Sequence, residues 1–189
     1  MAEPKIGRAL ASGLLQAISE EMPTRLEFYE SWLTPARIRD GELGRARVAA
    51  VISFLRQEAA YDAVMRRAGR YTADWVLETL GASRRTLLGR APRPLRLRGV
   101  LGLGDRLVRG LHDDVRLEAS VRRGRAVVTI DRSLFCDVRE PAAAPLCQFY
   151  GALLEGCLEA FELEGRSELA RCRGIGDPVC ELIIDTTGC

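Results

Sequence analysis

Apolar residues recur every three to four positions through the first 110 residues, the spacing that lines one face of an α-helix. Ile6, Leu10, Leu14 and Ile18 form the first such stripe. Residues 27–33 make a short aromatic-bearing segment closed by Thr34-Pro35, and residues 37–41 read as a connector. From 42 to 80 the stripe strengthens. Leu43, Ala46, Ala50 and Phe54 lead it, flanked by Val51 and Leu55, and Tyr61, Val64, Ala68, Tyr71, Trp75 and Leu80 continue it. A break at 58–60 divides this into two helices, and Gly81 supplies a C-terminal stop. The following segment holds Arg84, Arg85, Arg90, Arg93, Arg96 and Arg98, and Pro92 and Pro94 argue against a continuous helix there. It reads as a solvated loop, with an anion-binding patch as the alternative. Leu103, Leu107 and Leu111 place a third helix over 99–111.

The period then changes to two. Val115, Leu117, Ala119 and Val121 alternate with Arg116, Glu118 and Ser120, which predicts a half-buried strand. A turn at Arg122-Arg123-Gly124-Arg125 and a second strand over 126–131 complete an antiparallel hairpin. A long helix is expected over 141–163, with Pro145 in its first turn and Leu146, Phe149, Leu153, Cys157 and Phe161 along one face. Residues 167–172 and 179–184 make a final hairpin, joined through Gly174, Gly176, Asp177 and Pro178. This order predicts an α+β fold, an antiparallel sheet of about four strands with helices packed on one face. The expected organisation is an N-terminal helical arm over 1–41 and one domain over 42–189.

Composition narrows the classes. The chain has 189 residues, 47% of them hydrophobic and 29% charged, as in a globular protein able to bury its own core. A net charge of +2 argues against a nucleic-acid partner held by phosphate neutralisation. There is no run of about 18 apolar residues to span a membrane, and the start lacks a secretory signal. A cytoplasmic location is therefore expected, with the six cysteines reduced or metal-bound rather than paired.

Three of those cysteines are candidates for shared chemistry. Cys147 opens the long helix, where the helix dipole favours thiolate. Cys172 ends one strand of the last hairpin and Cys180 starts the other, so cross-strand pairing brings them close. If the helix starts over the hairpin, three sulfurs meet. A tetrahedral Zn²⁺ would then need a fourth ligand, Glu168 or solvent; the alternative is that all three are small buried hydrophobes. Phe54, Tyr71, Trp75, Phe149 and Tyr150 are candidates to line an apolar ligand pocket, or simply to fill the core. His112, the single histidine, reads as a surface residue at a helix end. Gly102-Leu103-Gly104 lacks the third glycine of a dinucleotide fingerprint.

The run from Pro145 to Ile184 resembles the 4-vinyl reductase domain family, which includes the sensor domains of phenol- and xylene-responsive activators. Cys147 is followed by Gly151 and Gly156 on the helix, then by Cys172 and Cys180 with seven residues between them. Residues 61–70 also look like that family's first core helix. The resemblance implies a fold like the small subunits of the vesicle-tethering transport particle, a homodimer, and a pocket for a hydrophobic small molecule. In the sensor branch it implies a structural zinc site of three cysteines and one acidic residue. Cys147, Cys172 and Cys180 match the thiols; the acidic position falls on Leu169, with Glu168 one step away. The function this implies is a ligand-binding sensor domain signalling through a partner. The alternatives are a 4-vinyl reductase or accessory protein of (bacterio)chlorophyll biosynthesis, and a pure assembly subunit.

Overall fold

The computed structural model describes residues 7–41, 43–111, 115–122 and 124–186. Its helices are α1 (Arg8–Glu21), α2 (Leu26–Glu30), α3 (Pro35–Asp40), α4 (Arg45–Leu55), α5 (Tyr61–Glu78), α6 (Ala82–Gly89), α7 (Arg93–Leu111) and α8 (Gln148–Glu159). Its strands are β1 (Arg116–Arg122), β2 (Arg125–Asp131), β3 (Arg166–Arg171) and β4 (Cys180–Asp185). They form one antiparallel sheet in the order β1-β2-β4-β3, so the two hairpins join through their second strands. The fold is α+β, as the order of periodicities requires.

The alternation along β2 and β4 decides which face is covered. Ala126, Val128 and Ile130 and, opposite them, Ile184, Leu182 and Cys180 point inward. Helix α8 lies on that face and buries nearly its whole circumference, from Gln148 to Leu158 with Glu155 the exception. A helix apolar all round must be enclosed on both sides, and α5 and α7 supply the cover. Glu155 ties α8 to the sheet: one carboxylate oxygen accepts from the Ser167 amide and from its hydroxyl, both at 2.7 Å. The contact between α5 and α8 is the most extensive in the molecule. It is close because Gly69 faces α8; a Cβ there would be driven into the Phe149 carbonyl oxygen and would lie 3.0 Å from Ala152 Cβ.

Several expectations need correction. Helix α1, within the expected N-terminal arm, buries Leu10, Ala11, Leu14, Ala17 and Ile18 in the same core as α5 and α8. The arginine-rich segment is mostly helical, with α6 over 82–89 and α7 beginning at Arg93. Pro92 lies between the two helices, and Pro94 falls in the first turn of α7, where a missing N–H costs nothing. The long helix over 141–163 is only α8. Residues 141–147 are held outside it, and Cys147 occupies the N-cap position rather than the first turn. His112 lies outside the described residues. Among those residues, no helix is long and apolar enough to cross a membrane.

The close approach of α5 and α8 gives a direct test. Gly69→Ala is expected to lower stability by about 1–3 kcal/mol through overpacking. Gly102→Ala, at a helical position with no atom near the added methyl group, is expected to raise it by about 0.5–1 kcal/mol. Urea denaturation of both variants checks the pair.

Candidate metal centre

Three separate stretches of chain meet at one end of the helix–sheet sandwich. A short 3-10 turn, Leu134–Cys136, follows β2; the N-terminus of α8 brings Cys147; and the β3–β4 connection brings Cys172 and Cys180. Each stretch is shaped by its own sequence. In the β3–β4 connection, Gly176 takes φ 103°, a left-handed conformation that favours glycine. Gly174 lies where a Cβ would come within 2.6 Å of Leu146 Cδ1. Asp177 folds the turn back on itself by accepting from the Cys172 amide at 2.8 Å.

The sulfurs of Cys136, Cys147, Cys172 and Cys180 all lie within 4.8 Å of one another. Cys136 Sγ is the common neighbour, 3.1 Å from Cys147, 3.4 Å from Cys172 and 3.5 Å from Cys180. Four thiolates at the usual Zn–S length of about 2.3 Å would stand about 3.8 Å apart at the corners of a tetrahedron. The donor set and its spacing fit a tetrahedral, soft-liganded metal. Cys147, Cys172 and Cys180 are fully buried and Cys136 is half-buried; four protein thiols would fill a tetrahedral shell and leave none of the open positions of a catalytic zinc.

Electrostatics within the cluster divides it in two. Contacts with Cys136, then Cys147 and Cys180, hold the Cys172 thiol far below its ordinary range, and the Leu146 amide donating at 3.2 Å adds to this. Cys180 is lowered by Cys136 and Cys147 and accepts from the Arg173 amide at 3.3 Å. Cys147 is pushed well up by Cys136, then Cys172, Cys180 and burial. Cys136 is drawn down by Cys147, but Cys172, Cys180 and burial outweigh that and raise it. Two of the four thiols are thus raised and two lowered, through hydrogen bonds among the sulfurs themselves together with burial. A divalent cation would let all four sulfurs bind as thiolates, releasing whatever protons they carry.

A supporting layer fixes the segment between the first two cysteines. Arg56, just beyond α4, donates to the carbonyls of Phe135 at 2.7 Å and Asp137 at 3.2 Å, the residues on either side of Cys136. Tyr61, at the start of α5, donates to the Leu146 carbonyl at 2.9 Å, beside Cys147. Burial, in that order before any neighbouring charge, raises the Tyr61 phenol well above its ordinary value, so it stays a donor. The aromatic rings of Phe135, Phe149 and Tyr150 pack together next to the cluster.

The structure brings Cys147, Cys172 and Cys180 together and leaves Glu168 apart. Glu168 is exposed on β3, on the face of the sheet opposite α8, and Cys136 takes the fourth corner. Cys136 was not anticipated because its segment carries no periodic pattern. The available signal was a thiol eleven residues before Cys147 in a chain already read as reduced. The five pocket candidates do not enclose one space. Phe54 is 38% exposed and packs on Phe28 and Trp32; Tyr71 stacks on Trp75 near α1; Phe149 and Tyr150 are buried core. A cavity whose lining includes four leucines and three arginines lies instead between α6 and α7, with a volume of about 470 Å³.

No family model matches the chain, and no curated protein matches it. Solved structures do share its fold. The phenol-responsive sensory domain of the transcription activator PoxR, with phenol, aligns over 76% of this chain and 75% of its own, at 19% identity and a TM-score of 0.56. The SO2144 H-NOX domain from Shewanella oneidensis, in the Fe(II)CO ligation state, aligns over 96% of this chain and 98% of its own, at 13% identity and a TM-score of 0.58. At such identities the likeness is one of fold.

The supporting contacts are separable from any metal. Tyr61→Phe is expected to cost about 1 kcal/mol, and Arg56→Met about 1.5–3 kcal/mol, because the latter strands two carbonyls. Chemical denaturation in the presence of a chelator measures both. Wild-type stability in both variants would show that neither residue positions the 136–147 segment.

Proposed function

We propose that this chain is a small-molecule-binding sensor domain whose terminal hairpin and last helix are clasped by a structural zinc ion. The single observation that carries the reading is the four-cysteine cluster, in which three chain segments converge and every ligand is a soft thiol. Cys136, Cys147, Cys172 and Cys180 would hold the ion. Its contribution would be structural: the bound ion fixes the N-terminus of α8 to the β3–β4 turn. The residues supply the rest. Arg56 and Tyr61 hold the backbone beside Cys136 and Cys147, and two amides donate to the sulfurs of Cys172 and Cys180.

Support for the sensor half of the reading comes from the fold shared with the PoxR phenol-sensing domain and from the resemblance to the 4-vinyl reductase domain family. The space for a ligand is the cavity between α6 and α7. A ligand there touches α7, and α7 packs on both β1 and α8. Occupancy would therefore reach the clasped end of α8 through packed elements, without any change at the cysteines themselves.

One experiment tests both halves. Purified chain is expected to contain one zinc per molecule, and Cys136→Ala is expected to lose it while Glu168→Gln keeps it. Chelation should lower the melting temperature, and phenol or another small neutral aromatic should raise that of the zinc-loaded protein. Full zinc retention in Cys136→Ala would contradict the four-thiol clasp. No stabilisation by any of a panel of neutral aromatics would contradict the sensor reading. Cys157 serves as an internal control: burial, then Asp74, pushes its thiol up to about 12, so it stays unreactive toward thiol reagents at pH 8 in either state.

A further inference from the structure

The arginine-rich segment offers chemistry that the zinc clasp does not use. Some of its arginines serve the fold: Arg93 donates to the Thr186 carbonyl and Arg96 to the Gly89 carbonyl. Arg84 and Arg90 do neither. With Arg106 of α7 they border the cavity between α6 and α7. Among the described residues none of the three is ion-paired, and no carboxylate lines the cavity. Other arginines of the chain, including Arg25, Arg45, Arg67, Arg70 and Arg109, do meet carboxylates.

The walls between these guanidiniums are apolar: Leu80, Leu87, Leu88 and Leu103. Leu87 is 76% exposed beside an open, apolar space. Helix α6 itself buries none of its side chains. Its Leu88 leans on Gly99, at a point where a Cβ on α7 would collide with it. The space thus exists because α7 presents Gly99 and Gly102 to α6, and it ends in uncompensated positive charge. A volume of about 470 Å³ lies within the range of small-molecule sites.

Resting on the sensor reading above, we propose that this cavity takes an amphipathic carboxylate, its apolar tail against the leucines and its carboxylate in the fork of Arg84, Arg90 and Arg106. Guanidinium is the group that meets a planar carboxylate with two parallel hydrogen bonds. An apolar tail alone would leave the three charges unmatched, and a small anion alone would leave Leu87 in water. A molecule carrying both satisfies both, and covering Leu87 adds apolar burial to the charge match.

The test uses the full zinc-loaded chain and four probes with alkyl chains of ten carbons or fewer, below their micelle concentrations: decanoate, decanol, decyltrimethylammonium and acetate. Calorimetric titration is expected to give one decanoate site, at least about tenfold tighter than decanol, the equivalent of one charge-assisted hydrogen bond. Decyltrimethylammonium and acetate are expected not to bind. The double variant Arg84→Gln/Arg106→Gln should bring decanoate down to the affinity of decanol. Gly102→Leu, whose added side chain enters open space, should abolish binding with the melting temperature unchanged or raised. Equal binding of decanoate and decanol, or wild-type binding by Gly102→Leu, would overturn the assignment. So would sedimentation with phosphatidylglycerol vesicles in the absence of saturable decanoate binding, which would make the arginines a membrane contact. If decanoate fails while neutral aromatics still stabilise the protein, the ligand class alone is wrong; if both fail, the sensor reading falls with it.

Discussion

The convergence of four thiols is the constraint on which the rest of the structure depends. Cys136 and Cys180 are 44 residues apart, and closing a loop of that length costs chain entropy that grows slowly with its length. Buried thiols alone, at 3.1 to 3.5 Å around Cys136, gain little from one another. A shared cation changes the balance, because the binding free energy of a structural metal is folding free energy. Four thiolates around a divalent ion leave a charge of about −2. The amides of Leu146 and Arg173 already point at two of the sulfurs to accommodate it. A metal held there would fix where α8 begins. Residues 141–147 follow the cluster rather than the helix, and Tyr61 and Arg56 brace that departure from regular structure from the opposite layer.

From that fixed end the helix runs between two layers. On one side Gly69 lets α5 approach to backbone contact; on the other Glu155 grips Ser167 of β3. The middle of the molecule is therefore tightly filled, and Phe149 and Tyr150 belong to that filling. Space is found at the periphery, between α6 and α7, where Leu88 leans on Gly99 and the rest of α6 stays exposed or half-exposed. The centre is thus tightly packed while the periphery around α6 is loosely covered.

Much of this was legible in the chain. The switch from a period near 3.6 to a period of 2 at Val115 marked the sheet, and both hairpins carry their turn residues in sequence. Cys172 and Cys180 were legible because a hairpin fixes their proximity locally. Cys136 was not. Its position depends on Arg56 reaching across 79 residues to the Phe135 carbonyl, and tertiary contacts of that kind leave no local periodicity. Glu168 failed as a ligand for a register reason: β3 turns Ser167 and Leu169 inward, so Glu168 faces out. The arginine segment misled because charge density suggested a loop, whereas Leu88, Leu97, Leu101 and their neighbours place helices within it. The aromatic stripe misled because rings at helical spacing can face different layers: Tyr71 and Trp75 stack outside while Phe149 and Tyr150 pack inside.

The central claim is that four cysteines, with no oxygen ligand, hold one metal ion. X-ray absorption at the zinc edge of the purified chain measures this directly. The account predicts four sulfur neighbours at about 2.3 Å and no light-atom scatterer in the first shell. A shell of three sulfurs with one oxygen at about 2.0–2.2 Å would contradict it, and would return the fourth position to a carboxylate or solvent.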